Sequence, residues 1–271
     1  MTAKVRSHPA RNLLLFAGVS VGVGWLGHRL DVSMDAPPGQ QLGMLLWIIG
    51  PVTVGMMLRA WGGDGWADLG WRPLFRGNMR WYALSLFAFP ALTALVVGLG
   101  GMLGWVRFPE APGGVGAFLV AFALGLPPMF LKNILEEFAW RGYLAPRVCA
   151  QGWNLWLSHL LVGVVWAAWH LPYYVYFLSP VVFAAHTRLG LGAYLPLVFV
   201  GLMAQSVLYG EIRLRTGSVW PAVLMHTADN AFMNTLLLAG FVVWAPGAEM
   251  LIAYLGAAGV GVWIHRAHAG P

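Results

Sequence analysis

Charge is scarce in this 271-residue chain: Asp, Glu, Lys and Arg together make up 10% of it, against 59% hydrophobic residues. A water-soluble domain needs far more charge than that on its surface. The shortage excludes an ordinary soluble fold and makes the bilayer the natural solvent, as does the mean hydropathy of +0.69. Cysteine is almost missing. Cys149 stands alone, which excludes a disulfide framework and a Cys-rich metal centre within one chain. Long polar stretches are also lacking, so residues 1–271 are expected to form a single transmembrane domain. Acidic residues are the rarer sign, 10 against 16 basic, for a net charge of +6. The basic residues are scattered through short loops and form no stripe, so no nucleic-acid partner is expected.

What is present is a series of apolar runs. In lipid every backbone polar group needs an internal partner, so runs of about 20 apolar residues become spanning helices. Eight are expected, near 12–30, 41–59, 81–105, 115–147, 155–178, 192–212, 218–241 and 247–265, giving an all-α polytopic bundle. Lys4, Arg6 and Arg11 precede the first run, but no small-residue cleavage site follows it, so it reads as a retained anchor. Basic residues mark loops that stay in the cytoplasm. Lys4, Arg6, Arg11, Arg59, Arg72, Arg76, Arg80, Arg147, Arg213, Arg215 and Arg266 fall in or beside one set of loops and termini, whereas the alternate set holds only Arg29, Arg107 and Arg188. An even number of spans with both termini cytoplasmic satisfies that bias. Trp61, Trp66, Trp71, Trp81 and Trp105 cluster near span ends and are expected as interfacial anchors. Gly18 and Gly22 have the spacing of a close helix contact, but 35 glycines make that spacing commonplace. The two halves show no repeat of the kind that transporters carry.

Ionisable groups are costly at bilayer depth and usually mark function there. The fourth span contains NILEEFAWRGYL, preceded by Lys132. Glu137 and Arg141 are one turn apart and can pair, which turns Glu136 about 100° away, with Lys132 one turn before it. This cluster also reads as an ion-pair lock between helices. His170 lies in VWAAWHLPYY on the fifth span, and His226 and Asn230 share a face of the seventh. Counted at 1.5 Å per residue, Glu136, His170 and His226 lie roughly 17, 22 and 13 Å from the cytoplasmic ends of their spans. Three polar groups on three helices therefore share one slab of the membrane. Pro127 and Pro128 are expected to kink or break the fourth helix, and Asp229 to bond a nearby Ser or Thr. His159 and His186 lie toward span ends. His8, His28, His265 and His268 are peripheral.

No Ser, Cys or Thr in the core has a base and an orienting group in evident reach. A carboxylate beside an imidazole suits general-base hydrolysis: Glu136 takes a proton from water that His170 helps to hold, and His226 with Asn230 donates to the oxyanion. No cofactor is required by this set. Zinc on Glu136, His170 and His226 is the alternative, although the chain has no HExxH helix.

The segments EEFAWR, WAAWH and HTADN, in that order, resemble the three motifs of the type II CAAX prenyl endopeptidase and bacteriocin-processing family, also called the CPBP or Abi family. RGYL and RTGSVWPAVLMH extend the likeness over roughly 115–235, which would be the catalytic core. The resemblance implies an intramembrane endopeptidase in which Glu136 and His170 activate water, His226 and Asn230 form the oxyanion pocket, and Glu137 with Arg141 braces the site. It departs at Trp166, where the family usually has Phe, a change that keeps an aromatic wall; Trp166 and Lys132 are accordingly expected to line the cavity. The implied partners are the lipid bilayer and a membrane-embedded or lipidated peptide substrate. A non-catalytic scaffold locked by its polar cluster, and a proton-coupled transporter using Glu136 and His170, are the readings from other classes.

Overall fold

A computed structural model of the protein describes residues 8–35, 41–109, 113–238, 240–244 and 248–266; the sequence expectations for Lys4, Arg6 and His268 fall outside them. The long helices are α1 (Pro9–Ser33), α2 (Leu42–Ala60), α3 (Met79–Met102) and α4 (Gly114–Ala139), then α6 (Leu155–Pro172), α8 (Leu191–Thr216), α9 (Trp220–Leu238) and α10 (Ala248–Arg266). The α4 helix runs through a wide π-turn, Trp140–Leu144, into the short α5 (Ala145–Cys149). A second π-turn, Tyr173–Phe177, follows α6, and the short α7 (Pro180–His186) comes before α8. All eight apolar runs are thus helical. Among the described residues six helical segments are long and apolar enough to cross a membrane. The α9 helix is less apolar because it carries His226, Asp229, Asn230 and Asn234.

Pro127 and Pro128 lie inside α4 without ending it. The expected break is absent because an interrupted helix in lipid leaves unpaired backbone groups, a larger penalty than two lost N–H donors. The irregularity comes three turns later, at the π-turn. One small ladder escaped the sequence reading: Val106 pairs with Trp244 and Arg107 with Val243, antiparallel. Two residues per strand carry no alternation to detect.

Aromatic packing fastens α2 to α6. Trp47 and Trp169 stack with centroids 4.1 Å apart, and each indole donates to the other's carbonyl oxygen, at 2.8 and 3.0 Å. The close helix contact uses Gly27 and Gly43, where an added Cβ would meet opposing backbone. Gly18 and Gly22 face open space instead.

The loop between α2 and α3 is fixed to the end of the bundle by arginines. Arg59, expected as a topology marker, is buried; it donates to Gly65 O, to Asp68 at 2.7 Å and to Gly142 O in the first π-turn. Arg147 also pairs with Asp68, and Arg213 donates to Asp68 O at 2.6 Å and Arg141 O at 3.1 Å. Gly70, at φ +72°, leaves room for Arg213; a Cβ there would lie 2.5 Å from the guanidinium. Trp81 is buried rather than interfacial, between the Arg80 and Arg215 guanidiniums. Trp61, Trp66, Trp71 and Trp105 are exposed as expected. Burial pushes the Asp68 carboxyl up, but hydrogen bonds from Arg59 and Arg147 outweigh it and hold it below its ordinary value.

Arg59→Met is expected to lower stability by about 1–3 kcal/mol through the carbonyls it strands, read as thermal unfolding in detergent. Because folded Asp68 binds its proton less readily than the unfolded chain, its contribution is complete above the ordinary carboxylate range and is lost as pH falls through its lowered pKa. Asp68→Asn should flatten that acid-side decline.

Candidate active site

Glu137 and Arg141 are one turn apart, and a π-turn begins between them at Trp140. Widening the helix there frees the carbonyls of Arg141 and Gly142 for Arg213 and Arg59. Arg141 turns inward. Its Nη1 donates to Glu137 Oε1 at 3.1 Å, and its guanidinium lies over the rings of Trp166 and Tyr209, 4.3 and 4.7 Å from their centroids. Both members of the pair are fully buried. Glu137 Oε1 also accepts from Nδ1 of His226, at 2.9 Å. A carboxylate can only accept, so the proton is on Nδ1 and Nε2 is the nitrogen left for other work.

One face away, Glu136 pairs with Lys132 and accepts the Trp166 indole N–H at 3.1 Å. Phe at this position would leave that oxygen without its donor. His170 donates from Nδ1 to the Trp166 carbonyl at 2.9 Å, which leaves Nε2 as a lone-pair acceptor. Trp166 touches both imidazoles edge to face, 5.6 Å from His170 and 5.5 Å from His226. Asn230 Nδ2 reaches Asn133 Oδ1 at 3.3 Å, and Asn133 in turn donates to Thr227.

His170, His226, Asn230 and Lys132 line one cavity of about 290 Å³. Its remaining wall includes Trp47, Tyr173, Tyr194, Val198 and Leu202. Trp166, expected on the wall, lies behind it, fully buried. The predicted site residues thus gather around one indole and one space, with Glu136 buried behind Lys132, which lines that space.

Other expectations fare differently. Asp229 lines the cavity, and its partner is Gln205, at 3.1 Å, rather than a hydroxyl. His159 and His265, set aside in the sequence, both reach Glu211 Oε1, at 3.1 and 2.8 Å. Glu211 is fully buried and joins α6, α8 and α10. Its own position was the overlooked signal, an acid within an apolar span. Among the described residues no three His, Cys, Asp or Glu side chains are grouped to hold a metal ion. The set Glu136, His170 and His226 does not fit zinc as arranged, because Lys132 and Trp166 take the two oxygens of the Glu136 carboxylate.

Arg141→Ala leaves the Glu137 carboxylate uncompensated in the core and should cost about 3–5 kcal/mol. The double variant Glu137→Gln with Arg141→Met should recover much of that stability in detergent melts. A single variant as stable as the parent would show that the pair carries little.

Residues 118–232 match the family model described as Type II CAAX prenyl endopeptidase Rce1-like. No curated protein matches the chain. The matched stretch runs from early in α4 through most of α9 and contains Lys132, Glu136, His170, His226 and Asn230, whereas Met44, Trp47, Met233, Asn234 and Leu237 of the cavity wall lie outside it. Over residues 118–232 this integral membrane protein is therefore similar to the Rce1-like type II CAAX prenyl endopeptidases, a family of proteases.

Proposed function

We propose that this protein is an intramembrane endopeptidase that hydrolyses a peptide bond of a membrane-embedded or lipidated peptide by a glutamate-dependent route. The observation that carries the reading is the pair of imidazoles on one cavity, each with Nδ1 tied to a protein acceptor and Nε2 left over. A water on the cavity side is held by the lone pair of His170 Nε2. Its oxygen attacks the carbonyl carbon as one proton passes to Glu136, after Lys132 releases that carboxylate. The carbonyl electrons move onto oxygen. Asn230 has a second N–H beyond the one given to Asn133, and His226, as a cation, presents Nε2–H with Glu137 as its counter-charge; both stabilise the oxyanion. When the C–N bond breaks, the proton on Glu136 leaves with the amine. The apolar wall from Trp47 to Leu202 suits a lipidated or membrane-embedded chain, while the peptide bond meets the polar groups. The bundle end bearing the arginine-fixed loop also carries Arg72, Arg76 and Arg80, which favours both termini in the cytoplasm.

Glu136→Ala and His170→Ala should each lower cleavage of a membrane-reconstituted substrate by at least about 10²-fold while the protein melts normally. Mass spectrometry of membrane peptides from cells with and without Glu136 would report the substrate and the bond. Full activity in either variant removes the mechanism.

A further inference from the structure

The loop between α2 and α3, residues 61–78, joins the ends of two apolar spans and therefore lies at a membrane surface. Its acids are spent inward: Asp64 accepts from Asn12 and Tyr143, and Asp68 from Arg59 and Arg147. Its outward side is different. Arg72, Arg76 and Arg80 are exposed, and no carboxylate among the described residues lies within salt-bridge distance of them. Around them Trp66, Trp71, Leu74, Phe75 and Met79 are exposed as well, Trp71 at 58% and Phe75 at 56%.

This surface is built rather than loose. Trp220 Nε1 donates to Trp71 O at 2.6 Å, Asn78 donates to Thr216 O at 3.1 Å, and Tyr82 bonds the Pro73 carbonyl. Leu74 is held at φ +51°, a left-handed conformation that Leu rarely adopts. Strain kept at an exposed apolar residue points to a use for that shape. The Arg72 guanidinium lies over the Trp71 ring and that of Arg80 over Trp81, 5.7 and 5.0 Å from the centroids. Guanidiniums stacked this way keep their N–H edges free for phosphate oxygens.

We infer that the outward face of residues 66–80 is a preformed binding surface for anionic phospholipids of the adjacent leaflet. The three arginines meet headgroup phosphates, and the indole, phenyl and aliphatic side chains enter the boundary of the acyl region. This inference stands apart from the proposed hydrolysis and needs no activity for its test.

The test is native mass spectrometry of the purified full chain titrated with phosphatidylglycerol or phosphatidylcholine. The parent protein should retain phosphatidylglycerol preferentially. The variant R72Q/R76Q/R80Q should bind it more weakly by about fivefold for each arginine removed, from the typical attraction of a basic side chain to an anionic surface. R72K/R76K/R80K should keep most of the preference, which separates lost charge from a damaged loop. Inorganic phosphate at matched ionic strength should not displace the lipid. Equal retention of both lipids by the parent, undiminished phosphatidylglycerol binding by the glutamine variant, or displacement by phosphate alone would each overturn the inference.

Discussion

A carboxylate buried in lipid-facing protein must find its positive partner within the chain, and Glu137 finds two donors on one oxygen, Arg141 and His226. Much of the site's arrangement follows from that demand. Arg141 reaches back one turn, and the widening of the helix beyond Ala139 exposes carbonyls that Arg59 and Arg213 take up. The guanidinium then needs a low-polarity bed, which Trp166 and Tyr209 supply. Trp166 in turn holds Glu136 through its indole and His170 through its carbonyl. One buried charge thereby sets the direction of two imidazoles and a second carboxylate.

The all-α helical bundle and the pairing of Glu137 with Arg141 were legible from the chain because apolar length and one-turn spacing are local properties. The gathering of Glu136, His170 and His226 was legible for a related reason: depth can be counted along each helix separately. Contacts between segments were not. Arg59, Arg147 and Arg213 have the look of loop charges at span ends, and only folding shows that they share Asp68 and the π-turn carbonyls. Trp81 sits in sequence where interfacial tryptophans sit but is covered by two guanidiniums. Glu211 escaped notice because its partners, His159 and His265, are about 50 positions away on either side.

The departure at Trp166 shows how a motif letter can conceal a change in bonding. Phe and Trp are both aromatic, yet only the indole carries an N–H, and here that group touches the Glu136 carboxylate. Glu136 is thus held from two sides, by a cation that borders the cavity and by a neutral donor that does not. The two contacts differ in how easily they yield, Lys132 being the more exposed and flexible of the pair.

The clamp between the α2–α3 loop and the π-turn also works as a ruler. Gly142, whose carbonyl Arg59 grips, lies six residues beyond Glu136, about 9 Å along the helix axis. Because the loop rides at the membrane surface, the Glu136 carboxylate is kept at a set depth below it. On the proposed reading, a chain entering the cavity is sorted first by the stretch between its surface anchor and the bond to be cut, before any of its side chains is sensed.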